Sequence, residues 1–147
     1  MRFLLTGKNG QVGFELQRAL APLGEVVAVD HTECDLADPG AVRRLVAATR
    51  PRIIVNPAAY TAVDRAESER DLAYAVNAAA PGVLGEEARR LGALVIHYST
   101  DYIFDGAKDG WYTEEDAPNP QSTYGATKLA GERALRESGA DSLIFRT

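Results

Sequence analysis

The chain opens on Arg2-Phe3-Leu4-Leu5-Thr6-Gly7-Lys8-Asn9-Gly10-Gln11-Val12-Gly13, an apolar run that enters a G-x-x-G-x-x-G turn. Arg2 to Thr6 reads as a short buried strand. Gln11 to Ala21 then carries Val12, Leu16, Ala19 and Leu20 at helical spacing, and Pro22 and Gly24 end that helix. Glu25 to Asp30 follows as a second strand, and its near-continuous Val26-Val27-Ala28-Val29 suits a parallel strand covered on both faces. Strand, glycine turn, helix and strand together make one βαβ unit.

The same alternation continues outward. Asp38-Pro39 is a helix cap followed by proline at the first helical position, with the helix running to about Thr49. Arg52 to Asn56 is a third strand. Ala62 to about Leu91 is expected to be mostly helical, interrupted near Pro81-Gly82, and Ala93 to Tyr98 is a fourth strand. From Ser99 to Ser122 the composition turns to Asp, Gly, Pro and Asn with Phe104, Trp111 and Tyr112, and a loop longer than ~12–15 residues is usually functional. Tyr124 to about Glu137 returns to helix, and Ser142 to Thr147 begins another strand. The pattern predicts an α/β fold, a doubly wound parallel sheet forming a Rossmann-like domain over residues 1–147. A stop at Ile144-Phe145-Arg146-Thr147 leaves the last strand without a covering element. The expectation is therefore a truncated chain.

Composition narrows the class. The 147 residues are 46% hydrophobic and 25% charged, which excludes a disordered, collagen-like or disulfide-stapled chain. No apolar run approaches the ~18 residues of a membrane helix, and the start breaks too early for a signal peptide. A single cysteine, Cys34, fits a reducing cytoplasm. The net charge of −5 argues against a nucleic-acid or anionic-membrane partner. Lysines number only 3 against 13 arginines, and Lys8 and Lys128 both fall inside motifs.

The glycine turn carries the first chemical reading. Residues without Cβ let the chain turn tightly, approach a pyrophosphate and pack helix on strand, while the helix N-terminus offers free N–H groups. A ligand-free tight turn would use the same glycines, but the βαβ context and Asp30, about 20 residues on and placed for a ribose 2′-OH, favour dinucleotide binding. Asp30 disfavours a 2′-phosphate and Lys8 could attract one, so the sequence leaves NADH against NADPH open. Asp38 reads as a helix cap; Asp35 reads equally as a turn residue or an adenine contact.

Tyr124 and Lys128, four apart at a helix start, share a face. A cation beside the phenol would lower its pKa toward a useful range. Thr100, just past the fourth strand, can hydrogen-bond a substrate oxygen, and Asp101 follows it at the sheet edge where ligands bind. Turn formation is the plainer role for both.

Taken together, Gly7/Gly10/Gly13, Asp35-Leu36, Asn77, the hydroxyl after strand four and Tyr124/Lys128 resemble the extended short-chain dehydrogenase/reductases. Longer strings resemble the dTDP-4-dehydrorhamnose reductase family: Gly7 to Leu20, Asn56 to Glu67, His97 to Gly106, Tyr124 to Glu132 and Leu143 to Thr147. The resemblance implies reduction of the 4-keto group of dTDP-4-dehydro-L-rhamnose by NADH or NADPH, and a C-terminal substrate domain that is missing here. It implies that Gly7, Gly10, Gln11, Val12 and Gly13 meet the cofactor pyrophosphate, Asp30 the adenosine ribose, and Asp35 and Leu36 the adenine. Ala59, Tyr60, Thr61 and Tyr98 would line the cofactor, Thr100 and Asp101 would meet the sugar nucleotide, Tyr124 would donate the proton, and Lys128 would hold the nicotinamide ribose. Tyr60 departs from the family's frequent histidine. Glu15 matches a residue tied in some members to a Mg2+-linked homodimer; a solvated helix glutamate reads equally well. A nucleotide-sugar epimerase or dehydratase, or a non-catalytic regulatory subunit on the same fold, stay as alternatives.

Overall fold

The computed structural model describes all 147 residues. Five parallel strands form one sheet in the order β2-β1-β3-β4-β5, where β1 is Arg2–Thr6, β2 Glu25–Val29, β3 Ile53–Asn56, β4 Leu94–Ser99 and β5 Ser142–Arg146. The order reverses at β1, so the crevice beyond the carboxyl ends of β1 and β3 is where such sheets bind ligands.

Burial follows the pleat. Leu4, Ile54 and Val95 point to one face and pack with Val42 and Val46 of α2 (Pro39–Thr49), Leu84 and Ala88 of α5 (Ala80–Leu91) and Leu135 of α6 (Thr123–Glu137). Phe3, Leu5 and Val55 point the other way, against Leu16 and Leu20 of α1 (Gln11–Leu20). Leu143 and Phe145 of β5 stay about half exposed, at 50% and 48%. Asp38 caps α2 through Gly40 N–H at 2.7 Å, as its position before Pro39 predicts. No helix is long and apolar enough to cross a membrane.

The expected interruption at Pro81-Gly82 is not where the helical segment breaks. The break falls at residues 67–69, between the short turns α3 (Val63–Ala66) and α4 (Arg70–Tyr74). From Arg70 the chain stays helical to Leu91, passing through a wide π turn at Ala75–Ala79 immediately before α5. A π turn relaxes the usual spacing of carbonyl and amide, which accommodates a proline that lacks an N–H. Gly131 lets α6 approach this turn closely, because a Cβ there would stand 2.0 Å from the Asn77 carbonyl oxygen.

Candidate active site

A cleft of about 760 Å³ runs along the carboxyl edge of β1 and β3. Its wall includes Gly7, Gly10, Gln11, Val12, Gly13, Asp30, Asp35, Leu36, Ala59 and Thr61, ten positions marked for cofactor from sequence. Gly7 turns with φ +65°, and a Cβ on Gly13 would lie 2.0 Å from the Gly7 carbonyl oxygen. These two glycines build the turn. Gly10 has an ordinary φ of −77° and caps α1 with no side chain, so the first-turn N–H groups remain available to an anion. That cradle at a helix N-terminus fits a dinucleotide pyrophosphate.

Acidic side chains organise the cleft around the end of β2. Asp30 accepts from Thr32 N–H at 2.8 Å and Thr32 Oγ1 at 2.7 Å through one oxygen, and from the Asn9 amide through the other. Those bonds hold its carboxyl below the usual range. Lys8 does not stand free: its Nζ meets Glu33 at 2.6 Å. Asp35 accepts from Ala37 N–H at 2.8 Å while still facing the cleft, so its turn and binding readings coexist.

Tyr60 is held by its backbone. The Asn77 side chain accepts from Tyr60 N–H at 2.8 Å and donates to Tyr60 C=O at 3.0 Å, and it also meets Thr127 Oγ1 at 3.2 Å. The Tyr60 hydroxyl donates to Glu69, outside the cleft wall. Asn77 therefore ties the β3 loop to α6. One residue of that tie was visible in the sequence, but its partners were not.

Beyond β4 the catalytic candidates gather. Thr100 is buried, accepts from Tyr102 N–H at 3.2 Å and lies 3.4 Å from Asp101 Oδ1. Tyr124 opens α6, where Ser122 caps Gly125 N–H at 3.1 Å. Glu67 clamps the same helix start, accepting from Thr123 N–H and Oγ1 at 2.7 Å each. Tyr102 stands edge-on to Tyr124, with ring centres 5.6 Å apart.

Lys128 is 2% exposed and its ammonium donates to Tyr98 C=O at 2.6 Å. Burial pushes its pKa down to about 8, against a smaller upward pull from Glu132. The expected lowering of the Tyr124 phenol is not what the structure holds. Burial raises it, Asp101 and Tyr102 raise it further, and only the Thr100 hydroxyl opposes. With its ammonium on the Tyr98 carbonyl, Lys128 does not figure among the influences on the phenol.

Two further features escaped the sequence. Asp101, Tyr102, Phe104, Asp105, Tyr112 and Ser122 help line a second hollow of about 370 Å³. Asp105 anchors it by accepting from Ala107 N–H, Asn119 and Tyr112, which holds its carboxyl down to about 2. Beneath the site, buried His97 meets Asn56 at 3.1 Å and stays neutral, its pKa driven to about 3 by burial. Glu15 is exposed on α1 beside Arg18 at 3.6 Å. No group of three or more His, Cys, Asp or Glu converges as a metal ligand set, so the Mg2+ expectation has no cage in these residues.

Comparison with known proteins agrees with this geometry. The family model described as RmlD substrate binding domain matches residues 1–147. A dTDP-4-dehydrorhamnose reductase of Burkholderia thailandensis is 52% identical over the whole chain, which covers 49% of that protein. A reductase of the same name from Clostridium acetobutylicum superposes with TM-score 0.95 at 41% identity, over 99% of this chain and 52% of its own. Another from Bacillus anthracis, solved with NADP, gives TM-score 0.93 at 39% identity, over 99% and 52%. The chain spans about half the length of the curated relatives it matches. It belongs to the RmlD substrate binding domain family, alongside relatives named as dTDP-4-dehydrorhamnose reductases.

Proposed function

We propose that residues 1–147 are the cofactor-binding part of an NADH- or NADPH-dependent dTDP-4-dehydrorhamnose reductase, which reduces the 4-keto group of dTDP-4-dehydro-L-rhamnose. The observation that carries this is one sheet edge holding both parts of a reductase site. The glycine cradle and Asp30 lie beyond β1 and β2, and Thr100, Tyr124 and Lys128 lie beyond β4 and on α6. The single Cys34 and the net charge of −5 favour a cytoplasmic enzyme working on a small molecule rather than on nucleic acid or membrane. A homodimer fits the same reading.

The bound nicotinamide would supply hydride to the keto carbon. The protein's task is then the charge that grows on the carbonyl oxygen. Tyr124 keeps its proton at neutral pH, since its burial favours the neutral phenol, and it delivers that proton to the oxygen. The Thr100 hydroxyl leaves its long 3.4 Å contact with Asp101 and donates a second hydrogen bond. Lys128, fixed on the Tyr98 carbonyl, sets a positive charge beneath the ribose position without a flexible search. Asn77 bonds Thr127 and Glu67 bonds Thr123, which fixes the start of α6 on either side of Tyr124.

The test is keto-sugar-dependent oxidation of NADH and NADPH by the full-length protein. Tyr124→Phe is expected to lower turnover at least ~100-fold with little change in cofactor affinity. Near-normal turnover in that variant would remove Tyr124 from the mechanism.

A further inference from the structure

We infer that Glu33 sets the cofactor preference of this site, by tying up Lys8 so that NADH is taken in preference to NADPH. The inference rests on the dinucleotide reading above and concerns the adenosine end of the same cleft.

The two cofactors differ there only by a 2′-phosphate, which brings roughly two negative charges near neutral pH. A site that accepts it normally offers an arginine or another free cation. No arginine or lysine lines this cleft. The near cation, Lys8, follows Gly7 directly, and its ammonium lies 2.6 Å from Glu33 Oε2. The same Glu33 oxygen accepts from Asp30 N–H at 2.9 Å, so the carboxylate is locked to the end of β2 rather than swinging with the lysine. Asp30 adds a second negative charge, aligned by Thr32 and Asn9. His31 also stands on the wall. A 2′-phosphate arriving here meets the carboxylate of Asp30 on the wall, whose backbone N–H ties it to Glu33, and the one nearby lysine is already paired with that Glu33. A 2′-hydroxyl meets acceptors it can donate to. The NADP-bound relative from Bacillus anthracis indicates that the fold itself admits the phosphate, which leaves the choice to side chains.

Titration calorimetry of the full-length protein with NADH and with NADPH at pH 8 tests this. The wild type is expected to bind NADH at least ~10-fold more tightly than NADPH. Glu33→Gln keeps an acceptor for Asp30 N–H but frees Lys8. It should tighten NADPH at least ~5-fold while leaving NADH within ~2-fold. Adding Lys8→Met to Glu33→Gln should abolish the gain. Equal wild-type affinities, parallel shifts of both cofactors, or a gain that survives without Lys8 would each overturn the assignment. If NADH itself fails to bind the folded wild type, the dinucleotide reading falls and this inference with it.

Discussion

Adding one methyl group at Gly13 tests the turn on which the cofactor site is built. The new Cβ of Gly13→Ala would stand 2.0 Å from Gly7 O, 2.8 Å from Gly7 C and 3.2 Å from Lys8 Cα. Ordinary contact begins near 3.4 Å, so helix and turn must part by more than an ångström. All three obstructing atoms are backbone, which removes the cheap relief of a side-chain rotation. Overpacking of this kind costs about 1–3 kcal/mol, and the rigid surroundings place this case in the upper half of that range. For a domain of this size about 2 kcal/mol lowers Tm by roughly 4–8 °C. The same displacement carries the N-terminus of α1 away from the pyrophosphate position. Loss of one charge-assisted hydrogen bond, worth about 1.5–3 kcal/mol, weakens NADH binding at least ~10-fold. Gly10→Ala is the control, because its Cβ would meet only Gly7 O at 3.4 Å. That variant should keep its Tm within about 1 °C, while its new methyl group faces the cleft. Thermal unfolding and NADH titration of the three proteins read both effects. A Gly13→Ala protein with unchanged Tm and unchanged NADH affinity would refute the reasoning.

Two further predictions concern buried charge. Lys128 has a folded pKa of about 8 against 10.5 for a free lysine, so the unfolded chain binds the extra proton between those values and stability rises with pH across that window. The gain amounts to about 3 kcal/mol if the shift is taken whole, and denaturation from pH 7 to 10 should show a rise that Lys128→Met lacks. Glu132 is fully buried and meets Arg146 at 3.0 and 2.8 Å, with Arg136 at 3.2 Å. Arg146→Met leaves that carboxylate one partner and should cost about 3 kcal/mol by urea unfolding at pH 7. Because the carboxyl's folded pKa is lowered, the stabilisation is present above its unfolded value of 4.5 and fades as pH falls through the folded one, so the deficit of the variant should shrink in acid.

The βαβ start, the alternation of strand and helix and the glycine turn with Asp30 could be read from local pattern, because each depends on neighbours in sequence, while other wall residues such as Leu36, Ala59 and Thr61 came only through the family resemblance. Gly7 and Gly13 announce their turn, and Asp38-Pro39 announces its cap. What stayed hidden depends on distant partners. Nothing local says that Glu67 would cap a helix 56 residues on, or that Asn77 would hold both backbone groups of Tyr60. Helical spacing correctly placed Lys128 on the face of Tyr124, yet the Tyr98 carbonyl that claims its ammonium comes from β4, 30 residues earlier. The misplaced helix break has a similar origin. Pro81 reads as a breaker, but the π turn just before it accommodates a residue without an N–H, and no local signal announces that turn.

Isotope transfer tests the central claim most directly. The full-length protein would be given NADH deuterated on the transferable C4 face and dTDP-4-dehydro-L-rhamnose made by upstream enzymes. The product would be read by mass spectrometry and proton NMR. The account predicts dTDP-L-rhamnose carrying deuterium at sugar C4, formed by the wild type and at least ~100-fold more slowly by Tyr124→Phe. Cofactor binding without any deuterium reaching the sugar would contradict it.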